Sequence, residues 1–334
     1  MATPADVLRL LAVPVLAWAA WRDHRTRRVP NRIWGPLVVV ALIALGLDIV
    51  RVVGEPVYIT RSFAIRSAIS IGFLIPIAYV FWWLGGFGGA DAKALMVLAV
   101  LFPIYPTYEL AGVFVPLSVP PLGVFSLSVL TNAVIVGLAY PLTLAGRNLL
   151  DGEFGVPMFI GRRVQWADLL TTHGRLLETP AGFTRTGLDL DALRMYLRWR
   201  GLSLRAIRDH PEQARDPATL PADPNPPTDG AVGTTPAEDD EHVAFDETTS
   251  DRSSADDYAD PWGAERFLDS IDGTAYGTTP SQLRQALDLL ADTDTDEIWV
   301  SPGIPFLIPL FVGLLVTLVY GDLLHTLITL IGGL

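Results

Sequence analysis

Long apolar blocks alternate with polar connections along this chain. The blocks run over Val7–Trp21, Ile33–Val53, Ala64–Leu84, Ala92–Tyr105, Pro121–Leu144 and Pro305–Leu334. Most approach the ~20 residues that cross a ~30 Å hydrocarbon core. The fourth is short, and Gly321–Asp322 interrupts the last. Trp82 and Trp83 close the third block as an interfacial aromatic pair. The pattern predicts an all-α integral membrane protein with six transmembrane helices and a long polar insert between the fifth and sixth. Inside the insert, Leu188–Trp199 has helical periodicity. Thr279-Pro280-Ser281-Gln282 reads as a helix start with a capping box. The stretch 206–261 is rich in Pro, Asp, Thr and Gly and holds few large apolar residues. It buries too little surface to offset chain entropy, so disorder is expected there.

Charge orients the spans. Arg22, Arg25, Arg27, Arg28 and Arg32 make the most basic short loop, which places it on the cytoplasmic side. Alternation then puts both termini outside and the insert in the cytoplasm. The organisation expected is a membrane domain over 1–146, a cytoplasmic helical segment over 147–205 and an acidic disordered linker over 206–261. A small segment with two short helices follows over 262–301, then a sixth transmembrane helix over 302–334. A cleaved secretory signal would carry its basic residues before the apolar run; here they follow it.

Composition narrows the chemistry. The 334 residues contain no cysteine, which excludes disulfides, thiolate metal sites and thiol catalysis. Five histidines show no metal-ligand spacing, so neither a metal nor another cofactor is expected. The net charge of −12 is local: thirteen Asp or Glu and one Arg lie between Asp216 and Asp260. Lys93 is the only lysine among 24 basic residues. Acidic, lysine-poor loops suit work in high salt, where carboxylate hydration maintains solubility.

Two carboxylates stand at the cytoplasmic ends of apolar blocks. Asp23 follows the first, and Asp91 opens the fourth. If those helices pack side by side, the two can meet. Two carboxylates a few ångströms apart cannot both ionise cheaply, so the pair shares a proton near working pH. One member can then activate water while the other donates to a peptide carbonyl or leaving nitrogen. Plainer roles compete. Asp91 also suits a helix N-terminus, and Asp23 also suits an interfacial ion pair with its arginines. Pro30 ends the preceding helical pattern, and Asn31 is a good cap for the second span. Gly85, Gly86, Gly88 and Gly89 permit a helix break and close packing near the membrane surface. Such a break leaves an open backbone edge for an extended substrate; the plainer reading is a flexible hinge between two helices.

The pattern D-x-x-x-R-x-V-P-N over Asp23–Asn31, followed by G-G-A-D-A-K over Gly88–Lys93, resembles the type IV prepilin peptidase and archaeal preflagellin peptidase family. These are GxGD-type membrane aspartyl proteases. The motif here has Ala90 in its second glycine slot. The likeness extends to Met158–Gly161 and to Trp299–Gly313, which looks like the family's last helix; it omits 206–261. It implies Asp23 and Asp91 as the catalytic pair. It gives Gly88, Gly89, Ala90, Arg27, Pro30 and Asn31 a substrate-binding or supporting role. It also implies a halophilic archaeal member cutting the basic leader from archaellin and pilin-like precursors at the cytoplasmic membrane face. Without cysteine, methyltransferase activity is not carried over. The bilayer is the other partner; no nucleic acid partner is expected, and no oligomeric state follows. A proton-coupled transporter or a non-catalytic scaffold is the alternative; a transporter would place its acids near the midplane. Asp48, Glu109 and Asp322 fall on the outer side, as interfacial or helix-packing residues.

Overall fold

A computed structural model describes residues 2–84, 86–233, 259–271, 275–292, 296–303 and 306–332. In chain order the elements are α1 (Pro4–Arg9), α2 (Ala12–Thr26), α3 (Trp34–Val52), α4 (Val57–Trp83), α5 (Gly89–Leu101), β1 (Tyr108–Leu110), β2 (Val113–Val115) and α6 (Phe125–Leu150). The insert carries β3 (Arg162–Gln165), β4 (Arg175–Leu176), β5 (Glu178–Thr179), β6 (Gly182–Phe183), α7 (Leu190–Arg200), α8 (Leu204–Asp209), α9 (Pro211–Arg215), α10 (Ala264–Asp269), α11 (Pro280–Leu290) and β7 (Glu297–Ser301). α12 (Leu307–Val319) and α13 (Leu323–Gly332) end the chain. Two compact units result: Met1–Tyr140 with Ile304–Leu334, and Pro141–Gly303.

Four helical stretches, three in the first unit and one that begins there, are long and apolar enough to cross a membrane: Pro4–Thr26, Asn31–Val52, Val57–Trp83 and Phe125–Leu150. α5 and α12 have 13 residues each and α13 has 10. At ~1.5 Å per residue they reach only about 20 Å and 15 Å, short of a ~30 Å core. The six expected spans thus become four long helices and three short ones. α5 can be short because protein surrounds it. It packs against α3 and α4 and buries Ala92, Ala94, Leu95, Val97, Leu98, Ala99 and Leu101. An all-round apolar helix of this kind belongs in a core.

The last apolar block is a broken helix. Gly321, at φ +108°, brings its backbone against Ser118; a Cβ there would lie 1.8 Å from the Ser118 carbonyl oxygen. Asp322, expected as an interfacial or helix-packing residue, is buried in the packing. Its carboxylate accepts from Ser128 and from the His325 backbone N–H at 2.8 Å. Asn132 donates to Thr317 Oγ1 (2.9 Å) and to the Gly321 carbonyl (2.7 Å), and accepts the Leu323 N–H (3.0 Å). These side chains take up backbone groups that the break frees, as apolar surroundings require. Asp48 is likewise buried, taking the helix-packing alternative. Arg9 bonds it and also Asp6 (2.7 Å), and its Nε donates to the Leu101 carbonyl (2.8 Å). Glu109 lies exposed on β1.

The insert is one folded unit, not two helical segments joined by a linker. β7 lies between β3 and β4 in an antiparallel sheet, with Val164 opposite Ile298 and Leu176 opposite Val300. Residues near the two ends of the insert therefore share a sheet. Trp299–Ser301, expected to lead into the last helix, is strand. The core gathers Trp166, Leu193, Tyr196, Trp199, Phe267 and Leu287. α7 and α11 match the expected helices, and Thr279 and Gln282 form the expected capping box. Of the stretch expected to be disordered, 206–233 is described and largely folded, with Ile207 and Ala214 buried; 234–258 lies outside the described residues. Fully buried Arg194 makes the fold possible there: it bonds Asp191 and donates to the carbonyls of Gly230 (2.7 Å), Thr172 (3.0 Å) and Leu170 (3.2 Å). Burial pushes its pKa down, while the Asp191 carboxylate opposes that shift.

Candidate active site

Asp23 lies in the last turn of α2 and is 8 % exposed. The helix stops there because Arg27 turns left-handed at φ 53°, its N–H donating to the Asp23 carbonyl at 2.9 Å. Arg28 to Pro30 then run without helix to Asn31, where a short turn leads into α3. Arg27 and His24 lie within electrostatic reach of the Asp23 carboxylate.

Asp91 lies in the first turn of α5 and is 9 % exposed. Its Oδ2 accepts the Gly88 N–H at 3.1 Å. It thus caps from inside the helix, with Gly88 occupying the cap position itself. Oδ1 is buried and has no hydrogen-bond partner among the described residues. The backbone N–H of Leu307 approaches the same carboxyl group, and both Asp23 and Arg27 lie within its electrostatic reach. The fold therefore brings the two predicted aspartates, 68 positions apart, to one place.

The glycine segment makes room for this arrangement. Phe87 stacks on Phe306 at 4.8 Å and packs against Phe81 at 5.0 Å. A Cβ on Gly88 would lie 2.9 Å from Asp91 Oδ2, whereas one on Gly89 would meet nothing nearer than Trp82 at 3.8 Å. The open backbone edge expected here is not present among residues 86–88. The N–H groups of Gly86 and Phe87 donate to the Phe81 carbonyl, and that of Gly88 to Asp91.

Asn31 does not cap α3. Its Oδ1 accepts from Lys93 Nζ at 2.6 Å, so its amide ties the loop after α2 to the start of α5. Lys93 was legible only as the single lysine of an arginine-rich chain. Its partner, 62 positions away, has no local signal. Ala90 is half-buried beside Asp91, and Pro30 holds extended backbone before Asn31. Among the described residues no cluster of His, Asp and Glu could hold a metal.

Residues 10–142 match the type IV leader peptidase family, and residues 233–323 match the archaeal peptidase A24 C-terminus type II. The search of curated proteins returned no match. The first match contains both aspartates, with the end of α2 and the start of α5 that present them; the second takes in β7 and α12. With its long apolar helices and these two matches, the chain is a membrane protein that belongs to the type IV prepilin peptidase and archaeal preflagellin peptidase family.

Proposed function

We propose that the chain is an aspartic endopeptidase that removes the basic leader from archaellin and pilin-like precursors at the cytoplasmic membrane face. The observation that carries this reading is Asp91, whose buried Oδ1 has no hydrogen-bond partner among the described residues and whose carboxyl group lies within electrostatic reach of Asp23. A buried carboxylate oxygen without a partner is costly, and a substrate or lytic water supplies what it lacks.

In this mechanism one aspartate is protonated and the other ionised. The ionised carboxylate takes a proton from water as the water oxygen bonds to the scissile carbonyl carbon. The protonated carboxyl donates to the carbonyl oxygen. Collapse of the tetrahedral intermediate breaks the C–N bond, and the amine leaves with a proton from the dyad. Arg27, near both carboxylates, supplies positive charge that stabilises the ionised member of the pair. The Lys93–Asn31 bond holds the two helix starts in register.

Membranes containing the full chain, mixed with a precursor bearing a basic leader before an apolar helix, are expected to yield a product that begins near that helix. Mass measurement of the product reads the cut, and an intact precursor would overturn the proposal.

The glycine contacts give a second expectation. Gly88→Ala forces the Asp91 carboxylate to move, although Gly88 itself has φ −64° and ψ 155°, which alanine tolerates. The contact asks for a displacement of a few tenths of an ångström, and since about 1 Å of misplacement costs roughly 100-fold, cleavage should fall by roughly tenfold. Gly89→Ala meets only ordinary contact and should keep cleavage within a few-fold of wild type. Equal rates for the two alanine variants would show that Gly88 does not set the carboxylate's position.

A further inference from the structure

One face of the first helical stretch has the layered chemistry of a membrane leaflet. Val7, Leu11, Pro14, Trp18, Trp21 and Arg25 are all exposed and recur at four- and three-residue steps. Ala12, Leu16, Ala19, Ala20 and Asp23 face the protein instead. Along the exposed face, aliphatic residues give way to two indoles and then to guanidinium groups. Trp18 is 39 % exposed and Trp21 51 %. Arg22 lies over the Trp18 ring at 5.6 Å, and Arg25 over the Trp21 ring at 4.7 Å. Exposed Trp82 and Trp83 end α4 just before the segment leading to Asp91, marking the same interface.

We propose that Arg22 and Arg25 form a binding site for anionic phospholipid headgroups beside the active site. A guanidinium stacked on an indole is held in orientation yet keeps its in-plane N–H groups for two phosphate oxygens. The aliphatic part of the stripe covers the acyl chains, and the indoles sit at the headgroup boundary. An apolar face continuous with the cations favours a lipid over free phosphate. Asp23 lies between these arginines in sequence and on the opposite side of the same helical turn, so a seated headgroup also braces the turn that presents it.

The test uses the purified full-length chain with equal amounts of phosphatidylglycerol and phosphatidylcholine, retained lipid being counted by native mass spectrometry. The wild type should retain the anionic lipid over the zwitterionic one by roughly tenfold or more, the scale for two basic side chains at an anionic surface. The double variant Arg22→Gln/Arg25→Gln should lose that preference, and Arg22→Lys/Arg25→Lys should keep most of it. Excess inorganic phosphate, compared with chloride at matched ionic strength, should not displace the lipid. Equal retention by the wild type would overturn the site, as would an unchanged preference in the glutamine variant. Loss in both double variants, or displacement by phosphate, would do the same. None of these readouts depends on cleavage.

Discussion

Membranes carrying Asp23→Asn or Asp91→Asn should leave the precursor uncut, with rates down by roughly a thousandfold or more. Asparagine matches aspartate in size but can neither take a proton from water nor share one across the pair. Positioned acid–base groups contribute about 10²–10⁴-fold each, and the two members act as a unit. The double variant should therefore be little worse than either single one. Protein levels and thermal midpoints should stay near wild type. Asp91→Asn keeps an oxygen for the Gly88 N–H. Cleavage retained by either single variant would remove that residue from the mechanism. Lost cleavage together with lost protein would mean that the residue holds the fold instead.

Arg9→Met should damage stability rather than chemistry. Arg9 is fully buried and bridges Asp6 and Asp48, with its third donor on the Leu101 carbonyl. Methionine fills similar volume but leaves two buried carboxylates and one carbonyl without their cation. Breaking a buried ion pair from one side costs about 3–5 kcal/mol. At about 2–4 °C per kcal/mol for a unit of this size, the thermal midpoint in detergent should fall by roughly 10 °C. A matching triple change, Asp6→Asn, Arg9→Met and Asp48→Leu, should recover much of the loss, since apolar replacement of a whole buried ionic cluster is often close to neutral. An unchanged midpoint in Arg9→Met would show that the cluster contributes little. No acid in this cluster lies near Asp23 in the chain, so surviving Arg9→Met protein should still cut its precursor.

The two motifs were legible because their chemistry is local. Asp23 stands before an arginine-rich turn and a proline that ends one helical pattern, and Asp91 stands after a glycine run that starts another. Their meeting was only inferred from equal membrane depth. The fold supplies the reason: α5 is short and buried over most of its surface, so its first turn can sit inside the protein with a carboxylate at its tip. Local sequence misassigned Asn31, because a capping role needs only neighbours, whereas its partner Lys93 comes from another helix. For Asp48 and Asp322 the sequence left interfacial and helix-packing roles open, for the same reason. Their polar partners, Arg9 and Ser128, lie 39 and 194 positions away.

The insert divides along similar lines. Periodicity and a capping box identified α7 and α11, whose signals lie within a few turns. A five-residue strand has no comparable local signature. β7 gains its identity from β3 and β4, more than 100 residues earlier. The sequence by itself therefore determined the membrane class, most of the long helices and the two acidic positions, because apolar length and helix punctuation are properties of contiguous residues. Only the tertiary structure decided which charges are buried and paired. It also decided where the last helix breaks, and that Asp91 is buried within electrostatic reach of Asp23, because each of these depends on groups brought together from distant parts of the chain.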